Sequence, residues 1–261
     1  MPSSGELVEA PRWTESAAGG ACAAAVQLAK LAGHCDLYTA VGDDEVGERA
    51  LGEMERRGVT VYAAHRPGPT RRALILTDSI GERTIVVHGA RHHPRLEDPL
   101  PWSVLRSADC VLFTAGDRET LSAARAAAVL VLVARSASRP LAVEVDAVVG
   151  SADDAEEASV LDLLNRVDLV VATQGSRGGT FRSREGPTRS FPAPPLPGPI
   201  VDRYGAGDAF AAGLTFALGR GNSPEDAVEL AARCGTAVLT GRGAYASQLT
   251  AEGLDETRVE T

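Results

Sequence analysis

Val201-Asp202-Arg203-Tyr204-Gly205-Ala206-Gly207-Asp208-Ala209-Phe210 places small residues and a carboxylate where a loop turns into a helix. Beyond it Phe210, Leu214, Ala217 and Leu218 recur at helical spacing, so the glycines open a helix with a buried face. Gly205 and Gly207 carry no side chain to hold an anion away from the backbone, and the first turn of a helix leaves its N–H groups without internal partners. Phosphate is the natural occupant. Asp208 then sets a carboxylate beside an anion site, an unfavourable arrangement unless a metal ion or a proton transfer employs it. Phosphoryl transfer uses both. Taken alone, a tight turn followed by an acid that complements the helix dipole is the simpler reading, so the rest of the chain has to decide.

The 261 residues, 44% of them hydrophobic, suffice for one sizeable core and a small appendage, so a single domain over residues 1–261 is expected. A formal net charge of −9 offers no basic surface to nucleic acid or anionic lipid, and neither is expected as a partner. The longest apolar run, Ala126 to Ala134, falls far short of the roughly 20 residues of a membrane helix. The opening Met1-Pro2-Ser3-Ser4-Gly5-Glu6 is not a signal peptide. Cys22, Cys35, Cys110 and Cys234 lack metal-ligand spacing and read as reduced core thiols of a cytoplasmic protein. His92-His93, between Arg91 and Pro94-Arg95, reads as an exposed loop and not as a metal pair.

Leu37 to Val41, Cys110 to Thr114, Val129 to Val133, Ala147 to Val149 and Asp168 to Ala172 read as short buried strands. Helical patterns run at Ala21 to Leu31, Val46 to Arg57, Arg118 to Ala128, Ala152 to Leu164, Ala206 to Leu218 and Pro224 to Leu239. This alternation predicts an α/β fold with a doubly wound, mostly parallel sheet covered on both faces. Val59 to Ala64, Arg72 to Thr77 and Thr84 to His88 follow one another without a helix and are expected as antiparallel strands. Ser183 to Pro199 is expected as a surface connection and Thr250 onward as a frayed end.

Asp202 to Phe210 resembles the D-T-T-G-A-G-D-A-F signature of the ribokinase-like (PfkB) carbohydrate kinases, and other blocks fall in that family's order. Gly19-Gly20 and the Ala-rich helix to Leu31 are similar to its G-G-x-x-x-N-x-A segment. Val41-Gly42-Asp43-Asp44-Glu45-Val46-Gly47 with Gly58-Val59 resembles its V-G-D-D-x-x-G run. Gly81-Glu82-Arg83-Thr84 matches a further block, and Thr173-Gln174-Gly175-Ser176-Arg177-Gly178 resembles its nucleotide loop. The resemblance implies a ribokinase-like domain whose β lid, drawn from about residues 59–90 and the N-terminal segment, covers the sugar and mediates a homodimer.

It also implies an ATP-dependent kinase acting on a sugar or sugar-like alcohol, with Asp208 as general base and the backbone of Gly205, Ala206 and Gly207 as anion hole. Thr173, Gly175 and Gly178 would serve the nucleotide, and Asp202 with Ala244 and Ser247 would border a monovalent cation such as K+. Mg2+ would accompany ATP, with Asp154 as its carboxylate. Gly19, Gly20, Asp43 and Asp117 are the sugar-side candidates, against the plainer readings of a helix start, a solvated turn and a loop acid.

Departures from the family pattern accompany these matches. The chain enters at Ser4-Gly5-Glu6, downstream of the family's first strand and its sugar-gripping Asp, so against the family pattern a central strand is unaccounted for: either the start lies upstream or the sheet closes another way. The asparagine near Ala23 or Ala24 is absent, Ser151-Ala152-Asp153-Asp154 stands for the N-x-x-E motif, and Arg203-Tyr204 replaces Thr-Thr. These keep a second reading open, a catalytically degenerate nucleotide- or sugar-binding homologue with a regulatory role. A nucleoside kinase is a further alternative, although 4% aromatic residues provide few rings for stacking a base.

Overall fold

Two glycines lead into the first helix. The structure, a computed structural model, describes residues 13–77, 83–137, 143–161 and 167–255, together with residues 5, 7, 9, 10 and 141. Gly19-Gly20 leads into α1 (Gly20–Ala32), which ends on left-handed Gly33 as its N–H closes on the Ala29 carbonyl. Strand β1 (Asp36–Gly42), helix α2 (Glu45–Arg56) and strand β2 (Thr60–Arg66) then form a βαβ unit with the strands parallel. Val59 and Val61 pack with Val26, Leu37 and Met54 in the core of this unit. The expectation that residues 59–64 belong to an antiparallel lid is therefore corrected: their apolar side chains are claimed by α1 and α2, which makes them a crossover strand.

The antiparallel lid, among the described residues, consists of β3 (Arg72–Thr77) and β4 (Arg83–His88), paired through Leu74 opposite Val86. Leu74, Ile85, Val86 and Val87 are exposed on it. Gly81 and Glu82, which belong to one of the motif blocks, lie outside the described residues. Likewise, no described residue of the N-terminal segment forms a strand of the lid.

The main sheet begins with β5 (Cys110–Phe113), followed by α3 (Arg118–Ala124), β6 (Val129–Val133), β7 (Ala147–Ser151), α4 (Ala155–Leu161) and β8 (Leu169–Thr173). β5 to β8 are parallel neighbours. β9 (Gly179–Ser183) and β10 (Arg189–Phe191) extend the sheet antiparallel, in the order β10-β9-β8-β7-β6-β5. β10 corrects the expectation of a plain surface connection over 183–199; a three-residue strand is too short to carry a pattern. α3 also stops earlier than its alanines suggest, because Arg125 turns to bond the carbonyls of Ala127 and Ala128 and pairs with Asp146 at 2.6 Å. Residues 162–164 of the expected α4 pattern lie outside the described residues.

Helices α5 (Ala206–Gly219) and α6 (Pro224–Val238) cover one face, where Phe210, Leu214 and Ala231 meet Val131, Val149 and Val171. α3 and α4 cover the other, where Leu121 and Leu161 meet Leu130, Leu132 and Val148. Each such aliphatic side chain contributes about 1.5–3 kcal/mol by leaving water. Ser223 caps α6 by accepting from the Asp226 N–H, with Pro224 at its first position. α7 (Ala251–Asp255) follows where a frayed end was expected. No helix among the described residues is long and apolar enough to cross a membrane.

The β1–β2 pair forms a sheet of its own instead of continuing from edge strand β5, and among the described residues no strand precedes β1. Packing of α1 against α5 holds the two parts together. So does a polar and aromatic seam: Tyr38 stacks on Trp102 at 5.2 Å and donates to the Pro101 carbonyl, and Arg66 grips Asp98 with two bonds of 2.8 and 2.6 Å.

Candidate active site

A cleft of about 2390 Å³ runs between the β1–β2 unit, the hairpin and the main sheet. At its floor two helix starts meet. Gly205 is the residue before α5, with φ 89° and Ala244 so close that an added Cβ would stand 2.7 Å from the alanine's Cβ. Only glycine meets both demands. A Cβ at Gly207 would touch nothing within 4 Å, so its backbone opens onto the cleft, while Ala206 between them does not line it. Asp208 follows in the first turn and lines the cleft. A Cβ at Gly20 would overlap the Asp208 carboxylate, whose Cγ lies 3.2 Å from that position. The N-termini of α1 and α5 therefore converge on one carboxylate, and both dipoles favour negative charge there.

Thr173, at the end of β8, lines the cleft and donates its hydroxyl to the Gly150 carbonyl at 3.2 Å. Gly175 and Gly178 lie outside the lining. Gly178 is needed for another reason, since a Cβ there would collide with the Phe191 carbonyl. Asp154 lines the cleft, but its carboxylate pairs with Arg135 and accepts the N–H groups of Glu156 and Glu157 at 3.1 Å, which starts α4. Glu157 binds Arg135 and the Ser151 N–H, and Asp153 binds Arg177. Asp154, Glu156 and Glu157 thus share the one guanidinium of Arg135 and Asp153 has that of Arg177, and the described residues contain no group of three acidic, histidine or cysteine residues that could hold a metal ion. The open cradle at Gly207 fits nucleotide phosphates, whereas a protein-built Mg2+ site does not fit these residues.

Asp202 accepts from the Tyr204 N–H at 2.9 Å and the Gly243 N–H at 3.0 Å, so it clamps the 241–247 loop to the glycine turn. With both oxygens so engaged it acts as a strut between the two loops.

On the opposite wall Gly19, at φ 100°, donates its N–H to the Tyr204 hydroxyl at 2.9 Å. Two residues earlier Ala17 is held from both sides, its N–H by Glu53 at 2.6 Å and its carbonyl by the Tyr245 hydroxyl at 2.6 Å. Arg57 pairs with Glu53 and lies 4.0 Å over the Tyr245 ring. Asp43 is exposed outside the cleft, and only its backbone is engaged, with the carbonyls of Arg66 and Gly68. Its neighbour Asp44 is the built carboxylate: it accepts from the Thr70 hydroxyl, the Thr70 N–H and the Gly47 N–H. The Thr70 hydroxyl above all holds this acid below the usual carboxylate range. Asp117 also lies outside the lining and caps α3. Burial works to raise its pKa, but bonds from Thr120 and the nearby His93 bring it below the ordinary value.

Tyr204, Glu53, Tyr245 and Asp44 are thus functional supports that sequence patterns did not single out. Tyr204 had a visible signal as the aromatic residue where the motif has threonine. Glu53 with Arg57 resembles any solvated i,i+4 pair on a helix, and only the fold shows what it holds. All four cysteines are free: burial, followed by Glu53 and Asp208, pushes the Cys22 thiol up to about 11, and burial lifts the other three as well.

Residues 1–251 match the family model described as pfkB family carbohydrate kinase. An ATP-dependent ribose-1-phosphate kinase of Halopiger xanaduensis is 27% identical, with 92% of this chain and 86% of that protein aligned. Ribokinase from Thermotoga maritima superposes with a TM-score of 0.78 at 20% identity over 99% of this chain and 93% of that one. Arabidopsis thaliana ribokinase, solved with ribose and ATP, gives 0.80 at 20% identity over 98% and 92% of the two chains.

Proposed function

The chain belongs to the pfkB family of carbohydrate kinases, and from that membership we propose that it moves the γ-phosphoryl group of ATP to a hydroxyl of a sugar or sugar-like alcohol. The observation that carries the reading is the convergence of Gly20 and the α5 start on Asp208 at the floor of the cleft. Asp208 takes the proton of the acceptor hydroxyl as its oxygen attacks the γ-phosphorus. The new O–P bond forms, the bond from that phosphorus to the bridging oxygen breaks, and ADP leaves with the electron pair. Backbone N–H groups at Gly205 and Gly207, on either side of Ala206, hold the charge on the transferring oxygens, a role in which losing one donor costs roughly 3 kcal/mol. Mg2+ bound together with ATP would supply charge neutralisation to its phosphates. The chain's own part is to position and to move one proton.

The test is ADP release from Mg-ATP across a panel of sugars, sugar phosphates and nucleosides, comparing wild type with Asp208→Asn. The variant keeps the shape of the site and loses the base, so kcat is expected to fall about 10²–10⁴-fold. Undiminished turnover in the variant would remove Asp208 from the reaction. A folded wild type that binds ATP and turns over no acceptor would favour a binding homologue.

A further inference from the structure

The two helix starts that meet at Asp208 are tied together a second time, a few residues upstream on each. Gly20 against Asp208 is one contact between the segments 17–20 and 205–208. At their other end Gly205 packs on Ala244, and the next residue, Tyr245, donates its hydroxyl to the Ala17 carbonyl at 2.6 Å. Between these ends the Tyr204 hydroxyl takes the Gly19 N–H at 2.9 Å. The contacts close a ring, from Asp208 through Gly20, Ala17, Tyr245, Ala244 and Gly205 back to Asp208, in which no covalent stretch is longer than one turn of helix.

The far side of this ring is held more firmly than a surface turn requires. Ala17 is buried between exposed Ser16 and Ala18. Its N–H goes to one oxygen of Glu53 at 2.6 Å, while the other oxygen binds Arg57 at 2.7 and 3.1 Å. Arg57 lies against the Tyr245 ring, and Lys30 donates to the Tyr245 carbonyl at 2.7 Å. Burial above all, then Cys22, Glu53 and Tyr204, pushes the Tyr245 hydroxyl well above the ordinary phenol value against an opposing Arg57, so it remains a donor. Glu53 and Tyr245 reach the lining of the cleft, yet their polar atoms are engaged with Ala17 and Arg57, the arrangement of a support and not of a ligand contact.

Resting on the kinase reading above, we propose that Tyr245 and Glu53 are positioning residues of the transfer step: by gripping Ala17 from both sides they fix Gly20 against Asp208, and so fix where the base stands relative to the cradle at Gly207. Release of either grip lets the entry to α1 drift and opens room beside the Asp208 carboxylate. ATP still binds at the cradle, but the base is in place in fewer complexes. The effect therefore falls on kcat.

The experiment uses Tyr245→Phe, which removes only the hydroxyl, and the pair Glu53→Ala and Glu53→Gln, of which the second keeps an acceptor oxygen for the Ala17 N–H. Steady-state kinetics with Mg-ATP and the best acceptor of the panel above are measured beside melting temperatures. Tyr245→Phe is expected to lower kcat about tenfold, part of the roughly 100-fold that a 1 Å misplacement costs, with KM for ATP nearly unchanged. Glu53→Ala is expected to lose at least as much and Glu53→Gln to recover most of it. That rescue separates positioning from the ion pair with Arg57, which both substitutions abolish. Because both residues act through Ala17, Tyr245→Phe/Glu53→Ala should lose less than the product of the two single losses. Full kcat in Tyr245→Phe would overturn the proposal, whatever Glu53→Ala does to folding. So would a rise in acceptor KM at constant kcat, which would make the two residues a wall of the acceptor pocket, and equal losses in Glu53→Gln and Glu53→Ala would overturn it for Glu53. A wild type that turns over no acceptor would count against the kinase reading alone, and the clamp is then read by NMR. The amide resonances of Gly207 and Asp208 should move in Tyr245→Phe, because the change at Ala17 reaches them across Gly20; resonances at their wild-type positions would sink the clamp.

Discussion

The floor of the cleft and its upper wall are built on opposite plans. At the floor the groups offered to a ligand are backbone N–H groups at a helix start, the side chains are small, and Asp153, Asp154 and Glu157 nearby are paired with Arg177 and Arg135. At the upper wall the groups are the long cationic side chains of Arg71, Arg72 and Arg91, at the base of the hairpin and in the loop after β4, left without carboxylate ion pairs among the described residues. A backbone cradle is bound into its helix and has one geometry, which suits a transfer step common to many acceptors. Side chains on loops can be exchanged without disturbing a core, which suits the part of the site that selects the acceptor.

Gly20→Ala strikes the floor hardest. Its methyl group would occupy the space of the Asp208 carboxylate, and displacement of a reacting group by about 1 Å costs on the order of 100-fold in rate. Steady-state kinetics should show a collapse in kcat with the melting temperature nearly retained. Retained kcat would mean that the floor is less rigid than described.

Asp98→Asn tests how far the upper wall depends on its seam. The Asp98 side chain is 9% exposed and bonds Arg66 twice, as well as the Arg95 N–H. Loss of the charge is expected to destabilise the fold by about 2 kcal/mol in urea melts at neutral pH. The Arg66 bond above all lowers the Asp98 pKa against an opposing effect of burial. A depressed acid adds stability that is present above its unfolded pKa of about 3.9 and is lost as pH falls through the lower folded value. Wild type should therefore lose more stability than the variant between about pH 4 and the acid limit. Parallel pH profiles would show that the pair contributes nothing.

Tyr204→Phe is the mildest change and links the two plans, because it removes only the hydroxyl that takes the Gly19 N–H. The expected loss is about 1 kcal/mol, read as a few-fold rise in acceptor KM with little change in KM for ATP. An equal rise in both would place Tyr204 at the nucleotide instead.

Much of the fold was legible because its signals are local. β6 and β8 are unbroken aliphatic runs, and α1, α2, α5 and α6 show helical spacing with capping residues at their ends. β2 was misassigned because strand patterns do not reveal direction: Thr60 to Arg66 alternates weakly enough to serve a lid or a crossover. In the site, the glycine turn and Asp208 were visible as a motif. Asp43 and Asp44 were indistinguishable as neighbours in a chain, although one faces solvent and the other holds Thr70.

The sequence by itself determined the βα alternation, the helix that begins at Ala206 and the carboxylate in its first turn, since these depend on residues within one or two turns of each other. Only the tertiary structure decided that Gly20 makes room for Asp208, that Tyr204 holds Gly19 across 185 residues of chain, and that Arg135 is neutralised while Arg71 is not. Such contacts depend on packing between distant elements, and a pattern of neighbours along the chain carries no record of which charges will find a partner when the elements close on one another.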